Sequence, residues 1–127
     1  MADQDFPEEL RRFVAAHLDT VDQLEVLLLL QRRPAEVWTP QRVSDELRTS
    51  PMSAAMRLER LCATGLCEEI EGGGVRLRPA DASVERAIQL VTAAYREKRV
   101  SLIALIYARP PEGVRAFADA FRLKKDK

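Results

Sequence analysis

The residues best suited to bind an anionic ligand are six arginines in the middle of the chain. They are Arg42, Arg48, Arg57, Arg60, Arg76 and Arg78. A guanidinium group binds phosphate oxygens and holds the edge of a guanine through two hydrogen bonds. Because the 127-residue chain has no net charge, with 20 basic and 20 acidic residues, binding to nucleic acid has to rest on a local patch such as this.

Acidic residues in the same stretch, 39–79, cancel the charge of these arginines. They are Asp45, Glu46, Glu59, Glu68, Glu69 and Glu71. Affinity for DNA comes largely from neutralising phosphates, so a neutral surface binds weakly unless its charges segregate. On a helix Arg57 and Arg60 share a face while Glu59 points elsewhere, so segregation remains open.

Other reactive side chains do not form the pattern of an enzyme. Cys62 and Cys67 are either a thiol switch or, as we favour, two small core residues. His17 is the only histidine, so no zinc site of the usual spacing arises. The glycines at 72–74 lack the lysine of a phosphate-binding loop. We therefore predict no enzyme, no metal and no cofactor.

The elements that position the arginines are two short helices and a hairpin. Thr39-Pro40 and Ser50-Pro51 each combine a capping side chain with proline at the first helical position. Gly65 suits the left-handed end of the second helix. Two strand-like runs, 66–70 and 75–77, flank the glycines at 72–74, which predicts a β-hairpin.

This order of elements resembles the winged helix-turn-helix of bacterial transcriptional regulators, broadly the MarR-like group. The residues that carry the resemblance are Val43, Leu47, Leu58, Leu61, Gly65 and Leu66, followed by the glycine-tipped hairpin. It implies that the helix at 51–63 enters the major groove of DNA and that the hairpin wing contacts the adjacent backbone or minor groove. The implied DNA-binding residues are Arg42, Arg48, Ser50, Met52, Ser53, Met56, Arg57, Arg60, Arg76 and Arg78.

We expect the segments on either side of this winged-helix unit either to pack against it or to join two copies of it in a dimer. We predict a mainly α fold with four parts: an N-terminal helix (1–19), a winged-helix domain (20–79), a long dimerisation helix (80–109) and an amphipathic basic tail (110–127). Apolar residues of the long helix recur at an average of 3.5 residues, the spacing of a coiled-coil-like seam. The predicted dimer contacts are Val84, Ile88, Val91, Tyr95, Leu102 and Leu105. The alternative is a helix that breaks near 96–99 and folds back on its own core.

Two functions remain open. The first is a cytoplasmic, homodimeric regulator that binds DNA; the second is a winged helix that binds a protein partner and has little affinity for DNA. The second is favoured by the zero net charge of residues 39–79 and by the acidic Glu69 and Glu71 near the wing tip. It is also favoured by Met52 and Met56, because methionine suits an adaptable protein surface. It also draws on Phe117 and Phe121, which share one face of the tail. We expect no membrane contact and no signal peptide.

Overall fold

The computed structural model describes residues 6–108 of the chain. The elements in order are α1 (Glu8–His17), α2 (Val21–Arg32), α3 (Pro40–Leu47), α4 (Pro51–Ala63), β1 (Cys67–Glu69), β2 (Val75–Leu77), α5 (Ala82–Glu97) and α6 (Arg99–Ala108). The predicted fold class, a mainly α winged helix with a small hairpin wing, is confirmed. None of the helices in 6–108 is both long and apolar enough to cross a membrane. The predicted tail, 110–127, lies outside the described residues.

Local capping sets the ends of α3 and α4, as the sequence predicts. The backbone N–H of Arg42 donates to the Thr39 hydroxyl at 3.1 Å, and that of Ser53 donates to the Ser50 hydroxyl at 3.0 Å. Each cap of this kind stabilises a helix by roughly 1 kcal/mol. Between the helices Arg48 adopts a left-handed conformation, with φ of 56°. Three residues, 48–50, therefore separate the two helices, and the left-handed Arg48 starts the turn between them.

Gln23 ties α2 to α4. Its backbone N–H donates to the Thr20 hydroxyl at 3.1 Å, which is one half of a capping box of the type Ser/Thr-x-x-Glu/Gln. Its fully buried side chain does not return to the cap but donates to the carbonyl of Arg57 at 3.2 Å. The middle of α4 is therefore fixed to the protein core through a polar contact as well as through apolar packing.

The turn after α4 directs the chain into the wing. The N–H of Leu66 donates to the Leu61 carbonyl at 2.9 Å and that of Gly65 to the Cys62 carbonyl at 3.1 Å, which is a Schellman motif. The wing strands then pair antiparallel, with Cys67 opposite Leu77. A single β-bridge, between Trp38 and Val75, joins the loop before α3 to the wing.

The structure corrects the long helix predicted over 80–109. It is two helices, α5 and α6, which meet at Lys98, where φ is −138° and ψ is 51°. The alternative of a break near 96–99 is the arrangement found. The break lets α6 fold back against α1 and α5, and that packing buries one apolar side of each helix, including Ile88 and Val91 of α5 and Leu102 and Ile106 of α6.

The residues predicted for the dimer seam lie mostly inside one chain. Ile88, Val91, Leu102 and Leu105 belong to the same buried core as Leu10 of α1. Val84 and Tyr95 are half-buried against that core. The 3.5-residue spacing of these positions is therefore satisfied by packing within the chain, because the apolar stripe of α5 and α6 covers α1.

Candidate functional site

The outward side of α4 is apolar and acidic. Ala54, Leu58 and Leu61 are buried beneath the helix. Opposite them, Met52 is 76% exposed and Met56 is 58% exposed, and Glu59 continues the same side one turn further on. We call these three side chains the outer face of α4. It contains no cation.

The two arginines of α4 turn away from its outer face. The Arg60 guanidinium donates to the Asp19 carboxylate through Nε at 3.0 Å and Nη2 at 3.4 Å. Arg57 Nη2 lies 3.8 Å from Asp22 Oδ2, a longer and looser pair. Both arginines are only about a quarter exposed, at 29% for Arg60 and 27% for Arg57. The positive charge of α4 is therefore directed at the start of α2.

Arg42 supports the loop that precedes α3. Its guanidinium lies 4.0 Å above the ring of Trp38 and donates to the Val37 carbonyl at 2.8 Å. It also donates to the Glu36 carboxylate, and this hydrogen bond holds the pKa of Glu36 below its usual value. The contacts occupy the guanidinium on three sides, so Arg42 stabilises the loop that carries Trp38.

The arginines of the wing share one carboxylate. Arg76 donates to Glu68 from Nη2 at 2.8 Å, and Arg78 Nη1 donates to the other oxygen at 3.0 Å. These hydrogen bonds, that of Arg76 first, lower the pKa of Glu68. Neither Glu69 nor Glu71 forms an ion pair among the described residues, and both are exposed. The free charge of the wing is therefore negative.

A small cavity links the outer face of α4 to the wing. It has a volume of about 220 Å³ and is lined by side chains that include Pro40, Ala55, Glu59 and Glu69. Two carboxylates therefore border one apolar depression. This edge would attract a cation and would repel a phosphate.

The turn between α3 and α4 presents a positive charge to solvent. Arg48 is exposed and, of the six predicted arginines, it is the one for which the described residues contain no ion-pair partner. The exposed Ser50 and the half-exposed Ser53 lie beside it at the N-terminus of α4. Arg48 also lines a cavity of about 580 Å³ between α2, α3 and α5, where three arginines, Arg32, Arg48 and Arg96, outnumber two glutamates, Glu25 and Glu46.

The cysteines and the histidine have the properties of packed residues. Burial raises the pKa of the Cys67 thiol to about 12 and also raises that of Cys62. The ring of His17 packs on Phe13 with centroids 4.6 Å apart. Burial and, secondarily, the charge of Arg60 lower the His17 pKa. Within 6–108 no group of three or more metal-ligating side chains comes together.

Comparison with known proteins identifies the fold. No protein-family model matches the sequence, and no curated protein matches it. The crystal structure of the reduced form of MarR from E. coli has 21% identity and a TM-score of 0.51 and covers 98% of this chain and 87% of that one. The chain has a MarR-like winged-helix fold. The structure of apo wild-type MarR from E. coli has 21% identity and a TM-score of 0.49 and covers 98% of this chain and 90% of that one.

Within the MarR-like fold the predicted DNA-binding residues fall into separate groups. Met52 and Met56 are outermost, whereas Arg48, Ser50 and Ser53 surround the turn. Arg42, Arg57, Arg60, Arg76 and Arg78 are engaged in ion pairs. The sequence contained no signal for these pairings: Asp19 and Asp22 are spaced three apart, as Arg57 and Arg60 are, but the match has meaning only once α2 and α4 are known to pack together.

Proposed function

We propose that this chain is a homodimeric winged-helix regulator that binds a protein partner through the outer face of α4. The observation that carries the proposal is the exposure of Met52 and Met56 on the side of α4 from which its arginines are turned away. The two side chains are one helical turn apart and so form a continuous apolar patch, and interaction sites are built around patches of this kind. Methionine also adapts to irregular apolar partners because it is unbranched and polarisable.

The charges around the outer face specify the chemistry of the partner. Glu59 belongs to the face, Glu69 borders the same cavity, and neither is neutralised by an ion pair within 6–108. A segment that presents apolar side chains flanked by lysine or arginine complements both features. An amphipathic helix laid on this face is one recognised way of making such a contact.

The proposed homodimer uses a different surface from the one that the sequence suggested. Val100 of α6 is 82% exposed and Tyr107 is 72% exposed. Ile103, half-buried, lies between them on the same side of the helix, and we call these three the outer face of α6. In the proposed dimer this face meets the same face of a second copy, which is the arrangement of a two-fold interface.

DNA binding is a second candidate, favoured by the position of Arg48. An exposed arginine beside Ser50, at the N-terminus of a helix, is suited to a phosphate group. One phosphate contact in each protomer of a dimer gives a slope of about −2 in a plot of log affinity against log salt concentration. Arg48→Ala would flatten that slope, while Arg60→Ala would leave it unchanged.

Site-specific photocrosslinking in cells tests the proposal. A photoreactive amino acid replaces Met56, and a matched control replaces Gln89, which is exposed on α5. We expect adducts at position 56 that protease removes and nuclease does not, and we expect none at position 89. Adducts at position 56 that only nuclease removes would favour DNA binding and would refute the proposal.

A further inference from the structure

The tail of the chain is basic, whereas the part that the structure describes is close to neutral. Residues 109–127 contain six basic and three acidic side chains, which gives +3. Residues 6–108 contain 14 basic and 15 acidic side chains, which gives −1, and the other two acidic residues are Asp3 and Asp5. Electrostatic attraction between the tail and the described part therefore depends on local groups of carboxylates, such as Glu59 and Glu69.

The apolar residues of the tail suit the outer face of α4. Phe117 and Phe121 are four residues apart, as Met52 and Met56 are. Thioether sulfur interacts favourably with the edges of aromatic rings. Basic side chains follow the second phenylalanine, at Arg122, Lys124, Lys125 and Lys127. Their chemistry matches the carboxylates of Glu59 and Glu69.

The outer face of α6 is the nearer apolar surface, but it does not match the tail in charge. The sequence of α6, RVSLIALIYA, contains no acidic residue and begins with Arg99. A basic segment gains nothing electrostatically there, whereas it does at α4. The tail is also long enough to reach α4 from the end of α6, because the nine residues from Ala108 to Phe117 span up to about 30 Å when extended. That distance is comparable with the diameter of a domain of about 100 residues.

We propose that residues 109–127 of this chain dock on the outer face of α4, with Phe117 and Phe121 against Met52 and Met56. This inference rests on the proposed function, because it assigns an occupant to the same surface. An external partner then has to displace the tail, so the tail raises the concentration of partner that is needed for binding. Because a tethered segment acts at a high effective concentration, a modest intrinsic affinity is sufficient.

Methyl NMR of the full chain provides the test. The chain has three methionines, and the methyl signal of Met1 serves as an internal control for those of Met52 and Met56. In the variant Phe117→Ser/Phe121→Ser we expect the signals of positions 52 and 56 to move toward the shift of a solvated methionine. Gln89→Ser, at an exposed position of α5 that belongs to neither outer face, is the control and should leave both signals in place. Unmoved signals in the phenylalanine variant would overturn the inference.

A charge reversal provides a second arm. Glu59→Lys/Glu69→Lys should release the tail and move the same two methyl signals, and Lys124→Glu/Lys125→Glu in the same chain should partly restore them. Absence of any restoration would contradict the proposed charge pairing.

Photocrosslinking at position 56 separates failure of this inference from failure of the proposed function. If the tail docks, Phe117→Ser/Phe121→Ser raises the yield of adducts with another protein. An unchanged yield refutes docking and leaves the function standing. A chain whose methyl signals respond to the tail variant but which yields no adduct with another protein supports docking and refutes the function.

Discussion

The Arg60–Asp19 pair provides the sharpest test of whether the arginines of α4 stabilise the fold or bind DNA. The two side chains are 29% and 23% exposed and are joined by hydrogen bonds of 3.0 and 3.4 Å. Asp19→Asn keeps the shape of the side chain but removes the negative charge. The Arg60 guanidinium would then remain three-quarters buried without that counter-charge.

The expected loss of stability lies between two reference values. Exposed ion pairs contribute at most about 1 kcal/mol, whereas breaking a buried pair costs about 3–5 kcal/mol. For this partly buried pair we expect a loss of roughly 1–3 kcal/mol in the free energy of unfolding. At about 4 °C for each kcal/mol, Tm would fall by roughly 4–12 °C.

Thermal and urea denaturation followed by circular dichroism would measure this loss. Glu8→Gln is the matched control, because the Glu8–Arg12 pair also has a short contact, 2.6 Å, but its side chains are 63% and 78% exposed. We expect the control to lose less than about 0.5 kcal/mol. If Asp19→Asn is no less stable than the control, or if Arg60→Ala abolishes DNA binding while keeping full stability, the structural role assigned to Arg60 is wrong.

Three further predictions concern the wing and its supports. Gly74→Ala should lower the free energy of unfolding by about 2 kcal/mol or more, because φ is +89° and an added Cβ would lie 2.6 Å from a valine methyl carbon. Gly73→Ala is the control, because its Cβ would meet nothing within 4 Å, and urea denaturation should show about half that loss of stability. Mass spectrometry after iodoacetamide treatment at pH 8 should find Cys67 unmodified until the chain unfolds, since burial raises its pKa to about 12, and modification as fast as that of the half-exposed Cys62 would contradict this. The lowered pKa of Glu68 means that its contribution to stability is present above the unfolded-state pKa and is lost as pH falls through the folded-state pKa. Glu68→Gln should therefore flatten the acid limb of the stability profile, and an unchanged limb would refute this.

The sequence predicted the features of this fold that local chemistry decides. The caps at Thr39 and Ser50 and the left-handed Gly65 each depend on residues within five positions, so their residue types are sufficient. The wing followed for the same reason, because the glycines at 72–74 require a turn. These elements identify a winged helix without any knowledge of its packing.

The features that the sequence did not predict depend on contacts between distant residues. Asp19 and Arg60 are 41 positions apart, so their pairing is visible only after α1, α2 and α4 have packed. The break at Lys98 also depends on tertiary packing. The apolar stripe of α5 and α6 could pack equally well on a second copy of the chain or on α1, so its pattern alone does not decide between them. In the candidate site the residue types were identified, but the direction in which each arginine points was not.

Titration of the full chain, followed through the methyl signals of Met52 and Met56, decides most directly whether the outer face of α4 binds protein or DNA. One titration uses a pool of duplex genomic DNA fragments at low salt, and the other uses a synthetic amphipathic peptide of leucine, phenylalanine and lysine. If the face binds protein, the peptide moves both signals and DNA moves neither. Signals that move with DNA, return as salt is added and do not respond to the peptide would contradict protein binding at this face.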